Sequence, residues 1–117
     1  MKTNMEMKRG DTLSFAVQIE FDEDVQELDT VFFTCKTNYN DNTPVFQKRL
    51  GNGISLSSQE GNTLYYIVRV DPKDTANIEA GQYYYDMQIT VNDDVFTILD
   101  GIINIDNDVT KWGVKNE

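Results

Sequence analysis

Histidine is absent from the 117 residues, cysteine occurs once and proline twice. Without histidine there is no side chain whose ordinary pKa lies near neutrality. Ser-His-Asp and Cys-His constellations and most catalytic zinc sites are thereby removed. The lone Cys35 sits inside the apolar run VFFTCKT. It is expected to pack as a small buried hydrophobe, because it has neither a disulfide partner nor a base to activate it. Basic residues are also scarce, with ten Lys and Arg against twenty Asp and Glu, a net charge of −10. Phosphate backbones and anionic membranes would be repelled, so neither nucleic acid nor membrane is expected as a partner. No apolar run approaches the ~20 residues that span a bilayer. The opening MKTNMEMKRGD has no apolar stretch of the secretory kind, so folding in the cytoplasm is the expectation.

Helical periodicity is nearly missing too, and period two dominates what remains. Leu13, Phe15, Val17, Ile19 and Phe21 alternate with Ser14, Ala16, Gln18 and Glu20, the pattern of a half-buried strand. The alternation returns at Val31, Phe33 and Cys35, at Ile54 and Leu56, at Leu64 to Val70, and at Tyr83 to Val91. Met5 and Met7 mark a short leading strand, and PVFQKRL a weaker one whose Pro44, Lys48 and Arg49 resemble the guards of a sheet edge. A last strand, VFTILDGIINI, changes phase around Asp100-Gly101, where a glycine permits a bulge. Turn-forming clusters separate these runs, and Asn92-Asp93-Asp94 reads as a tight hairpin. Only Pro72 to Ala80 suits a helical turn, capped by Asp71 and stopped by Gly81. About seven to nine strands with polar turns predict one all-β domain over 1–117, an antiparallel sandwich or barrel, with 108–117 as a C-terminal tail.

Arg9-Gly10-Asp11 is the tripeptide that integrins bind, but its place before a strand gives it a local role. Gly10 permits the positive φ of a corner, and the Asp11 carboxylate is positioned to accept backbone donors across it. Gly10 and Asp11 are therefore assigned as a structural corner. Gly51-Asn52-Gly53 lacks the Lys-Ser or Lys-Thr ending of a phosphate loop. Asp22-Glu23-Asp24 and Asp106-Asn107-Asp108 offer oxygen ligands without EF-hand spacing, so solvated acidic turns are expected and no metal or cofactor is assigned. Asp86, between Tyr85 and Met87, is the one acid expected to be partly buried, as a hydrogen-bonded strand carboxylate. If Tyr66, Tyr83 and Tyr85 face the core, Tyr65 and Tyr84 lie on the outer face, where tyrosines can meet a sugar or a protein neighbour. Trp112 in the tail either folds back onto the sheet or anchors a partner. Tyr65, Tyr84 and Trp112 are the interaction candidates, and no catalytic residue is assigned.

Several of these stretches together carry a resemblance. Arg9-Gly10-Asp11-Thr12-Leu13-Ser14-Phe15 opens the chain. Asp74-Thr75, Ile78, Gly81-Gln82-Tyr83-Tyr84-Tyr85-Asp86-Met87-Gln88-Ile89, Gly101-Ile102-Ile103-Asn104-Ile105 and Asp108-Val109-Thr110 follow in order. The chain resembles the N-terminal domain of the phage baseplate upper protein and related short tail-region proteins of tailed phages and prophages. The resemblance implies an immunoglobulin-like β-sandwich and a non-enzymatic virion structural role in the tail or baseplate. It also implies contacts with tail or baseplate proteins or with further copies of the chain, and assembly in the bacterial host cytoplasm before incorporation into the virion. The alternative from another class is a carbohydrate-binding β-sandwich module using exposed aromatics.

Overall fold

Alternation of apolar and polar residues becomes strand almost wherever it occurs. The computed structural model describes residues 2–22 and 28–109. Eight strands run through the described residues: β1 (Met5–Lys8), β2 (Leu13–Glu20), β3 (Thr30–Lys36), β4 (Phe46–Leu50), β5 (Gly53–Glu60), β6 (Thr63–Val70), β7 (Gly81–Val91) and β8 (Asp94–Asp106). The expected helical turn shortens to α1 (Pro72–Thr75), with Pro72 at its first position and the Asp71 N–H donating to the Asp74 carboxylate at 2.7 Å.

The strands form one curled sheet in the order β1-β8-β7-β3-β4-β5-β6-β2, nearly closed like a barrel. The sheet is mixed, which corrects the expectation of an antiparallel arrangement throughout. β1 runs parallel to β8, with Met5 opposite Ile103, because both strands head for the Arg9–Thr12 corner. β4 and β5 pair in parallel only at Arg49–Gly53 and Leu50–Ile54, where the chain makes a small loop and continues in the same direction. That weak joint lets the sheet fold over on itself. The rings of Phe15 on β2 and Phe33 on β3 meet edge-on at 5.5 Å, and Phe33 also touches Tyr85 and Phe46. Cys35, Tyr66, Val68, Met87 and Ile103 complete a core that is fully excluded from water.

Three further expectations are corrected by the pairing. PVFQKRL supplies β4, which lies inside the sheet between β3 and β5 and not at an edge. Its Lys48 is buried and reaches the Asp74 carboxylate at 2.6 Å and that of Asp71 at 3.4 Å, so it is an ion-pair partner and not a guard. The phase change in β8 occurs at Ile98, where the register with β7 shifts between Leu99 and Thr97, not at Asp100-Gly101. Gly101 is small for another reason: a Cβ there would collide with the backbone carbonyl of Thr3 lying over the strand. The β7–β8 hairpin is as tight as its sequence suggests. Val91 faces Asp94, and Asn92 and Asp93 both take positive φ, the geometry of a two-residue turn that matches strand twist.

Candidate functional site

Two places bring sequence-selected residues together. The first is the corner between β1 and β2. Gly10 has φ of 82° and is buried, with its N–H donating to Thr75 Oγ1 at 2.8 Å. Arg9 Nε donates to Asp108 at 3.1 Å and its Nη1 to the Ile78 carbonyl at 2.9 Å, while the Arg9 N–H donates to the Asp106 carbonyl. The arginine of the tripeptide is thus held against the body of the protein by the far half of the chain. Asp11 is exposed, its N–H closing the turn onto the Lys8 carbonyl at 3.1 Å. Among the described residues no hydrogen bond reaches its carboxylate, so the bracing expected of Asp11 is performed by Arg9 and Thr75. In the sequence Thr75 belongs to a helical turn and to the Asp74-Thr75 stretch of the resemblance, and its bracing of Gly10 was not legible because that partner lies 65 residues away.

The second place is a groove of about 280 Å³ on the outer face of β4, β3 and β7. Period two turns Lys36 and Thr34 of β3 outward beside Tyr84 and Asp86 of β7, which they face across the ladder. Gln47 of β4 joins the row and donates from Nε2 to Thr34 Oγ1 at 2.9 Å. The turn after β3 then folds Tyr39 onto Tyr84, ring centroids 4.3 Å apart and planes 32° from parallel. Tyr39 is 61% exposed, an aromatic face presented to solvent above a floor of amide, hydroxyl, ammonium and carboxylate groups. Nothing in its sequence context, a polar turn, marked it out.

Asp86 is half-buried, as its position between Tyr85 and Met87 suggested. Burial raises the pKa of its carboxyl above the ordinary 3.8 and Asp100, its cross-strand partner, raises it further, while Lys36 acts in the opposite sense. No described residue donates a hydrogen bond to it, so the hydrogen-bonded carboxylate expected there is not found. The Asp100 carboxylate is engaged by Lys2 Nζ at 2.9 Å. Among the described residues no three acids or thiols gather as metal ligands.

Tyr65 and Tyr84 both face outward but do not share a surface. β6 pairs with β5 and β2, β7 with β3 and β8, so the two rings lie on different parts of the curled sheet. Trp112, Glu23 and Asp24 lie outside the described residues. Asp108 is engaged with Arg9. Cys35 is fully buried and its thiol is pushed up to about 12 by that burial, the setting of an unreactive core residue. No protein-family model matches the chain, and no curated protein matches it.

Proposed function

We propose that the chain is a non-enzymatic structural protein of a phage or prophage tail or baseplate, acting through protein–protein contacts. One observation carries the reading. Stretches that resemble the tail-region proteins are scattered along the sequence, yet Arg9-Gly10, Thr75, Ile78 and Asp108 converge at a single corner through direct hydrogen bonds. Separate strings that must meet to close one joint weigh more than the same strings taken singly. The order β8-β7-β3-β4 beside β5-β6-β2 supports an immunoglobulin-like arrangement of the same elements. The test is to purify tail particles from the host and probe them with antibody to this chain. Stoichiometric presence in intact tails supports the reading, and absence from them removes it.

A second reading, carbohydrate binding, is favoured by the groove over Tyr84. Stacked Tyr39 and Tyr84 beside Gln47, Lys36 and Asp86 combine an aromatic face with groups that can hydrogen-bond a polyol. Titration with an oligosaccharide panel, followed by the amide signals of Thr34 to Lys36 and Tyr84 to Asp86, decides it. Shifts that vanish in Tyr84→Ala favour sugar binding, and silence across the panel removes it.

A further inference from the structure

The two ends of the sheet are consecutive in sequence. β1 forms one edge and β2 the other, and among the described residues no strand pairs across the seam between them. The hydrogen-bond alternation shows which backbone groups face that seam. The Phe21 N–H donates to the Asn62 carbonyl at 3.1 Å, and this pair continues the register in which Glu20 faces Thr63 and Leu13 faces Val70. Bonded and non-bonded pairs alternate along an antiparallel ladder. The N–H and C=O groups of Leu13, Phe15, Val17 and Ile19 therefore turn to β6, and those of Ser14, Ala16, Gln18 and Glu20 turn into the seam.

The seam is also hollow and apolar. A groove of about 520 Å³ runs along it, with Phe15, Val17 and Ile19 on one side and Met5, Ile98 and Leu99 on the other. Soluble proteins normally guard a free edge with lysine, proline, a bulge or a covering element. β2 pairs with β6 without a register break, contains neither lysine nor proline, and carries one charge, Glu20 at its end. The strand that looked guarded in the sequence, β4, is an interior strand.

We infer that the β2 edge receives an extended, basic segment of another polypeptide, added as a strand in the seam. This rests on the reading that the chain works through protein contacts, and it names the surface and the partner's chemistry. Seam-facing amides would supply the main-chain bonds, and alternate apolar side chains of the segment would fill the hollow between Phe15 and Ile98. Charge selects the occupant. Glu20 lines the groove, and Glu6 on β1 and Asp22 just past β2 are exposed. Lys8 at the end of β1 is the one exposed cation on these two strands, Lys2 is engaged by Asp100, and the chain as a whole carries −10. A second copy would bring like charge to this edge, whereas lysines or arginines flanking an apolar strand would be drawn to it.

The experiment uses the full chain and a labelled peptide of alternating valine and threonine with two lysines at each end. Amide hydrogen exchange is read residue by residue. Saturating peptide is expected to slow Ser14, Ala16, Gln18 and Glu20 by about tenfold or more, with little change at Phe15, Val17 and Ile19, which the ladder already protects. The same peptide with glutamates at its ends should bind about tenfold more weakly or worse. Gln18→Pro, which removes one seam-facing donor, should reduce affinity similarly while keeping the melting transition. If that variant does not fold, Ala16→Lys serves as the edge guard in its place. Protection spread evenly along β2, no protection, or tighter binding of the acidic peptide overturns the proposal. Protection that appears without peptide as the protein is concentrated also overturns it and assigns the edge to a second copy. Presence in tail particles without seam protection leaves the assembly reading and removes this one; seam protection without presence in particles does the reverse.

Discussion

At the residue scale, the charged groups inside the fold repay most attention. Lys48 follows Phe46 on the inward face of β4, with its side chain 5% exposed and its ammonium between Asp74 and Asp71. Removing one partner of such a pair leaves the other buried without compensation, while removing both is far milder. Lys48→Met is therefore expected to cost about 3 kcal/mol in urea denaturation, and adding Asp74→Asn should restore a substantial part. Asn can still accept from the Asp71 N–H. Two other aspartates give opposite pH dependences. Asp71 is held below 3.8, chiefly by the hydrogen bond from Arg69 and further by Lys48, so its contribution is present above that value and lost as pH falls below it. Asp86 is raised above 3.8, so the native state holds its proton more tightly than the unfolded chain and stability declines as pH rises through that higher range. Asp86→Asn should therefore raise the melting temperature at neutral pH and lose its advantage as the solution is acidified through the carboxylate range. A melting series from neutral to acid pH checks it; an advantage that persists unchanged in acid would mean Asp86 acts through something other than its charge.

At the scale of elements, the β1–β2 corner separates what a tripeptide looks like from what it does. Thr75 is fully buried and accepts from the buried Gly10 N–H. Thr75→Val keeps the shape and orphans that donor, a loss of roughly 1–3 kcal/mol. Asp11→Glu, on an exposed and unbraced side chain, should stay within about 0.5 kcal/mol of the parent. Paired denaturation curves distinguish them, and equal losses would return Asp11 to the corner's framework. The strands themselves were legible because side-chain period is local: Leu13 to Phe21 and Tyr83 to Val91 announce their faces without reference to anything else. Neighbour relations were not. PVFQKRL looked like an edge because Lys48 finds Asp71 and Asp74 more than twenty residues onward, and charge that is paired at long range reads in sequence like charge left for solvent. Tyr39 was missed for a related reason. A single aromatic in a polar turn has no period, and only folding of that turn brings it over Tyr84.

At the scale of the whole molecule, closure depends on how β1 is held. Four residues pair with β8, the Lys2–Asp100 ion pair is exposed, and the Tyr85 hydroxyl donates to the Thr3 carbonyl from within the core. Exposed ion pairs contribute little, so the approach to the strand is held by the tyrosine, by the Thr3 N–H donating to the Asp100 carbonyl at 2.9 Å, by the Ile102 N–H donating to Asn4 Oδ1 at 3.3 Å, and by the close packing of Thr3 over Gly101. Gly101→Ala places a methyl group against the Thr3 backbone, where nothing flexible can yield. The expected cost is about 1–3 kcal/mol. Alanine is strained at the Gly101 φ of 157°, and the clash itself is met by lifting the N-terminal segment, since β8 is bonded on its other side to β7 over most of its length. Amides of Met5 to Lys8 should then exchange faster and trypsin should cut after Lys8 or Arg9, while the ladder between β2 and β6 keeps its protection. Should the β2–β6 amides lose protection in step with β1, the N-terminal strand would be an integral stave of the barrel, and the seam beside it would have no independent freedom to admit a partner.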